Sequence, residues 1–226
     1  MKRFYQHATV QDRAVLLDGR PVRTPARAAL ALPTDLLADA VAAEWQRQGD
    51  EIDPRSMPLT GLANAAIDRV AADPAGFADG LARYGESDLL CYRAGDPASL
   101  AARQAAAWDP LLNWARDRYG AGLATAVGVV HRPQPADAIA ALRGVLAALD
   151  PFRLAGLSPL VTIGGSLVAT LAVLEGATTP EVAWEAVTVD ERWQAEQWGR
   201  DEEAARTLAA RQNDWDGAAW FLALLG

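Results

Sequence analysis

Few residues in this chain have the types and spacing that chemistry requires. His7 and His131 are the two histidines and lie far apart without ligand spacing. Cys91 is the single cysteine, so neither an internal disulfide nor a cysteine-based metal site can form. Cys91 lies between Leu90 and Tyr92 in an apolar stretch, which predicts a buried structural thiol rather than a nucleophile. No Gly-x-x-x-x-Gly-Lys or Gly-x-Gly-x-x-Gly loop is present, and Gly164-Gly165-Ser166 lacks the Gly-x-Ser-x-Gly pattern of a nucleophile elbow. Carboxylates are numerous, but no spacing marks two of them as an acid–base pair. The pattern contains no recognisable active site and no cofactor site.

Tryptophan is the unusual residue. The chain has 8, against 4 Phe and 4 Tyr. Four of them, Trp184, Trp193, Trp198 and Trp215, lie in an acidic C-terminal section. On one continuous helix, Trp184, Val187, Glu191, Gln194 and Trp198 follow a three-four spacing and share a face, which Glu202 extends by a turn. Two readings stand. The stripe is a rim of the core with Glu191 hydrogen-bonded or reaching water, or it is a partner surface of aromatic anchors and a few polar groups.

The elements that must position these residues fall into two parts. Arg3 to Thr9, Ala14 to Leu17, Pro21 to Thr24 and Ala28 to Leu32 read as strands. Asp18-Gly19 is the hairpin turn between two of them. Thr34 caps a covering helix that carries Leu37, Val41 and Trp45, with Gly49 past its end. The polar, proline-broken stretch from Asp50 to Pro58 is the predicted junction. The expected organisation is therefore α+β: a small β-rich N-terminal domain over residues 1–55 and a larger, all-helical C-terminal domain over 56–226.

Within the second part, Asp96-Pro97 opens a helix that Pro110 should kink or split near Trp108-Asp109. Gly122 to Val130 fits strand or loop. Ala138 to Leu149 forms an amphipathic helix. The run from Leu160 to Leu174 predicts one central buried helix, its Gly164-Gly165 pair explained by close approach of a neighbour. Thr179-Pro180 opens the long acidic helix, and Asp214 caps a short final one.

A net charge of −8 counts against nucleic acid and anionic membranes as partners. The apolar run is interrupted by Thr162, Gly164, Gly165, Ser166 and Thr170 and falls short of a membrane span. The first residues lack the apolar core of a signal peptide, so a reducing cytoplasm is the expected setting.

Ordered motifs along nearly the whole chain resemble one family. They include Lys2-Arg3-Phe4-Tyr5-Gln6, Asp18-Gly19-Arg20-Pro21-Val22-Arg23-Thr24-Pro25 and Ala43-Glu44-Trp45. Met57-Pro58-Leu59-Thr60 follows, with Asn64 and Asp68. The middle block is Asp88-Leu89-Leu90-Cys91-Tyr92-Arg93, then Gln104 and Trp108-Asp109-Pro110-Leu111-Leu112 with Trp114. The last block is Glu191, Gln194 and Trp198-Gly199 with Glu202. The sequence is similar to the assembly chaperones of the F-type ATP synthase catalytic sector, found in mitochondria and some bacteria.

The resemblance implies a non-enzymatic assembly factor without cofactors. Such a factor binds the unassembled α subunit at the surface that later meets a β subunit, and so prevents its aggregation. It also implies a small β-rich domain followed by a larger helical one. A bacterial cytoplasmic member is expected, because the chain begins directly at the family's first motif, and a monomer is expected. The client surface is assigned to Glu191 and Glu202 as polar anchors, with Gln194, Trp193 and Trp198 beside them. Either tryptophan alternatively belongs to the core. The middle block of Asp88, Arg93, Trp108 and Asp109 reads as structural, an Asp–Arg contact and a capped kink. The rival functions are a small-molecule enzyme with a site in the interdomain cleft and a helical adaptor for another complex.

Overall fold

The computed structural model describes residues 1–199 and 201–226. Its first elements are three short antiparallel strands, β1 (Ala8–Gln11), β2 (Ala14–Leu17) and β3 (Arg20–Pro21), in the order β1-β2-β3. Two successive two-residue turns set the register, with Gln11 opposite Ala14 and Leu17 opposite Arg20. Asp18 and Gly19 have φ of 46° and 79°, the left-handed pair that this hairpin turn requires. Asp12 and Arg13, at 50° and 61°, form an equivalent turn that carries no glycine signal. The expected strand at Arg3 to Thr9 forms only from Ala8, and Ala28 to Leu32 contributes two isolated bridges.

Helix α1 (Asp35–Gln46) covers this sheet. The Thr34 hydroxyl accepts the Leu37 N–H at 3.1 Å, and Leu37 and Val41 are buried. Tyr5, Leu17, Ile52 and Met57 form a small core, with Trp45 packed at its edge. Helix α2 (Pro58–Ala65) follows, and its first turn is held by Glu44. The Glu44 carboxylate accepts the Leu59 N–H at 2.8 Å, and the Thr60 N–H and hydroxyl at 2.8 and 2.7 Å. This is a helix N-terminus satisfied by a buried side chain from another helix. A π turn over Ala66–Val70 continues α2 and buries Val70.

The remaining helices are α3 (Pro74–Ala82), α4 (Ala98–Tyr119), α5 (Ala136–Ala147), α6 (Pro151–Gly164), α7 (Leu167–Leu174), α8 (Pro180–Val187), α9 (Val189–Trp198) and α10 (Glu202–Ala223). One short parallel pairing lies among them. Strand β4 (Tyr92–Arg93) pairs with β5 (Ala126–Val127), which resolves Gly122 to Val130 into a two-residue strand flanked by loop. The architecture is thus a small β-containing N-terminal part and a larger helical part.

Four helices depart from the sequence expectation. Helix α4 begins at Ala98 with Pro97 as its cap, and it runs unbroken through Pro110. Pro110 and Ala106, the residue whose carbonyl loses its donor, both lie on the exposed face, where water can replace the missing bond. Gln104, Trp108 and Leu111, all buried, anchor the turns on either side. The Leu160–Leu174 run is two helices, α6 and α7. Gly165 has φ of 66°, and Ser166 caps α7 by accepting the Ala169 N–H at 3.0 Å. Close approach does hold at Gly164, where an added Cβ would sit 2.7 Å from the Trp215 ring. The final helix starts at Glu202, so Asp214 lies inside it and caps nothing.

The chain divides into two compact units. One comprises Met1–Pro74, Asp150–Gly156 and Gly217–Gly226, and the other Ala75–Leu149 and Leu157–Asp216. The junction at residues 55 and 56 falls inside the first unit, because Glu44 ties α2 to α1 and the later segments pack there. Phe152 stacks on Phe221 at 6.5 Å, and an added Cβ at Gly156 would meet Leu222 at 2.6 Å. The core of the second unit includes Leu142, Leu157, Leu160, Leu171, Trp108 and Trp215, all fully buried.

Candidate interaction surface

The predicted surface residues sit on and beside α9, and the structure separates them. Thr188, at φ −112° and ψ 17°, breaks the expected long helix between α8 and α9. Its hydroxyl donates to the Trp184 carbonyl at 2.7 Å and the chain turns there. Trp184 and Val187 therefore belong to the core, 5% and 4% exposed. Glu191, Trp193, Gln194 and Trp198 lie on α9. Glu202 opens α10, beyond Gly199 with its φ of 89°, so the shared face from Trp184 to Glu202 does not exist.

Helix α9 has no buried residue. Trp198 is 75% exposed, and its ring meets the partly buried Trp193 edge-on at 5.7 Å. Gln194 and Glu202 are exposed. Glu191 is half-exposed and paired with Arg211 at 3.3 Å. Arg211 also donates to the Ile163 carbonyl at 3.0 Å, and its guanidinium lies 5.8 Å from the Trp184 ring centre. Glu191 thus belongs to a polar contact between α9 and α10, with one side toward solvent.

Helices α4, α8 and α9 enclose a groove of about 610 Å³. Pro110, Leu111, Trp114, Val182, Ala186 and Val189 supply its apolar lining. Two ion pairs edge it, Arg103–Glu196 at 2.6 Å and Arg192–Glu185 at 3.0 Å. Sequence reasoning missed this groove, because three separate elements build it. The one available signal was Trp114 following Leu111 at helical spacing on a helix already rich in tryptophan.

The middle block is structural, with its partners redistributed. Arg93 pairs with Asp109 at 2.6 Å and lies 5.2 Å from the Trp108 ring centre. The Trp108 indole N–H donates to the Ala186 carbonyl at 2.7 Å. Gln104, 2% exposed, accepts the Ala94 N–H at 2.7 Å and donates to Asp190 at 2.8 Å. Asp88 acts elsewhere. Fully buried, it accepts the Leu90 and Val168 N–H groups, each at 3.0 Å, and so joins the β4 approach to the start of α7. Burial pushes its carboxyl up to about 6 against the pull of these donors. Cys91 is buried, and the same desolvation, with Asp88 beside it, pushes the thiol up to about 12.

A second cleft, about 580 Å³, is lined by Glu86, His131, Ile139 and Arg143. His131 Nδ1 lies 3.2 Å from the Tyr92 hydroxyl. Among the described residues, no group of three or more His, Cys, Asp or Glu is placed to hold a metal ion. Among the described residues, no helix is long and apolar enough to cross a membrane.

A small β-containing N-terminal part followed by a larger helical part matches the solved structures of a group of chaperones. The crystal structure of Atp12 from Paracoccus denitrificans matches over 100% of this chain and 98% of its own, at 43% identity and TM-score 0.94. A mutant of that protein gives a TM-score of 0.93 at 42% identity, with the same coverage. The Atu1473 protein of Agrobacterium tumefaciens matches over 100% of this chain and 86% of its own, at 43% identity and TM-score 0.95. The mitochondrial protein atp12 of Schizosaccharomyces pombe is 24% identical over 219 residues, 90% of this chain and 75% of that protein. The family model described as ATP12 chaperone protein matches residues 2–116. The chain belongs to the ATP12 chaperone family, the one its sequence motifs indicated.

Proposed function

We propose that this protein is an assembly chaperone for the catalytic sector of the F-type ATP synthase. In this reading it holds the unassembled α subunit at the surface that later meets a β subunit, and it acts as a monomer in a bacterial cytoplasm. Family membership supports the chaperone role, and the relatives from Paracoccus and Agrobacterium support the bacterial setting. The observation that carries the surface assignment is α9, a helix with no buried residue that presents Trp198 to solvent. An exposed indole edged by carboxylates and amides suits a reversible contact with a partly apolar subunit interface. The net charge of −8 favours encounter with basic groups on the client.

Within that surface, Trp198 is the aromatic anchor, Trp193 supports its ring, and Gln194 and Glu202 are the free polar groups. Glu191 contributes while retaining its contact with Arg211. The decisive measurement is light scattering by isolated α subunit, with and without this protein. Suppressed aggregation and a co-purifying complex are expected, and continued aggregation with no complex refutes the function. Folded Trp198→Ala and Glu202→Lys variants should capture less α subunit. Capture equal to wild type by both would remove these residues from the contact.

A further inference from the structure

We propose that α9 is a reversible cover over the groove between α4 and α8, closed by an ionic latch rather than by core packing. The helix lies between two chain breaks, Thr188 and Gly199, and none of its side chains is buried. Beside the partly buried Val189 and Trp193, what ties it to its neighbours is polar. Glu196 pairs with Arg103 of α4, Arg192 with Glu185 of α8, and Glu191 with Arg211 of α10. Asp190 accepts from Gln104.

The three ion pairs join side chains that are each between 37% and 61% exposed. Pairs in that setting are weak and screened by salt. A helix without buried apolar side chains and held in this way opens far more readily than the helices beneath it. Val189, Arg192 and Glu196 form its side of the groove, so lifting α9 uncovers the lining at Leu111, Trp114 and Ala186, whereas Pro110 and Val182 are exposed already. The cover thus limits exposure of an aggregation-prone patch until a partner is present. That the partner is the α subunit rests on the function proposed above; the opening itself does not.

Hydrogen exchange on the intact protein, with no client added, tests the latch. Amides of 190–198 are expected to be protected at least about tenfold less than those of 104–111 in α4. Raising NaCl from about 0.05 to 0.5 M should speed their exchange roughly threefold and leave α4 unchanged. Arg103→Glu, which sets two carboxylates against each other, should speed exchange in α9 several-fold, and Arg103→Glu with Glu196→Arg should restore it. Protection of α9 equal to that of α4 at both salt concentrations overturns the proposal. A charge reversal without effect, or a swap without recovery, overturns it as well. The salt series on the unaltered chain decides independently of how the variants fold. An opening α9 in a protein that fails to protect the α subunit would refute the function and leave the latch standing.

Discussion

The Glu44 carboxylate takes both the backbone N–H and the hydroxyl of Thr60, sixteen residues further along the chain. With the Leu59 N–H it satisfies three buried donors, and the Arg47 charge adds a smaller favourable pull. Replacing Glu44 with Gln turns an acceptor into a donor against donors. An unfolding free energy lower by about 1–3 kcal/mol is expected in urea titration at pH 7.

Gly164 marks the closest approach in the helical core. An added methyl would sit 2.7 Å from the ring of Trp215, which is fully buried and donates its indole N–H to the Pro180 carbonyl at 3.1 Å. The ring has nowhere to retreat. Gly164→Ala should cost about 1–3 kcal/mol by overpacking. Gly144→Ala, in α5 with open space around the new atom, should gain roughly 0.5–1 kcal/mol from helix propensity. Comparing the two thermal midpoints separates steric cost from backbone preference.

Asp88 gives stability a particular pH dependence. Burial raises its folded pKa to about 6, above an ordinary 3.8, so the native state holds a proton that the unfolded chain has released. The associated stability is fully present below about pH 4 and is lost as the pH rises through about 6. Between pH 4 and 7 the wild type should therefore lose on the order of 3 kcal/mol more than Asp88→Asn. Denaturation curves for the two proteins across that range provide the check.

Cys91 should behave as an inert thiol. Its burial and its pKa near 12 leave almost no accessible thiolate at neutral pH. A chromogenic disulfide reagent should label it only as fast as the surrounding core opens, and at once in denaturant. Rapid labelling of the native protein would contradict this environment.

Local signals carried much of the fold. Asp18-Gly19 announced a hairpin because both residues tolerate positive φ, and Thr34 announced α1 through its capping hydroxyl. The equivalent turn at Asp12-Arg13 was invisible, because the register of β1 against β2 forces Arg13 into a conformation it does not advertise. The sequence placed the candidate surface residues on one continuous face, and the fold does not form that face. Helical periodicity runs without interruption through Thr188, and the break shows only in its backbone, at φ −112° and ψ 17°. Nor does any spacing predict that Arg211, twenty positions away, closes on Glu191.

Gly217–Gly226 belongs to the same compact unit as the first strands, and two contacts fix it there. The Thr34 hydroxyl donates to the Leu224 carbonyl at 2.6 Å, and Arg153 donates to the Gly226 carbonyl at 2.6 Å. A ribosome therefore delivers the opening strands early but cannot deliver these partners until residues 217–226 have followed the whole second unit out of the exit tunnel. This unit begins before the other and is finished after it, so nascent chains and prematurely terminated products carry it in an incomplete state exposed to proteases.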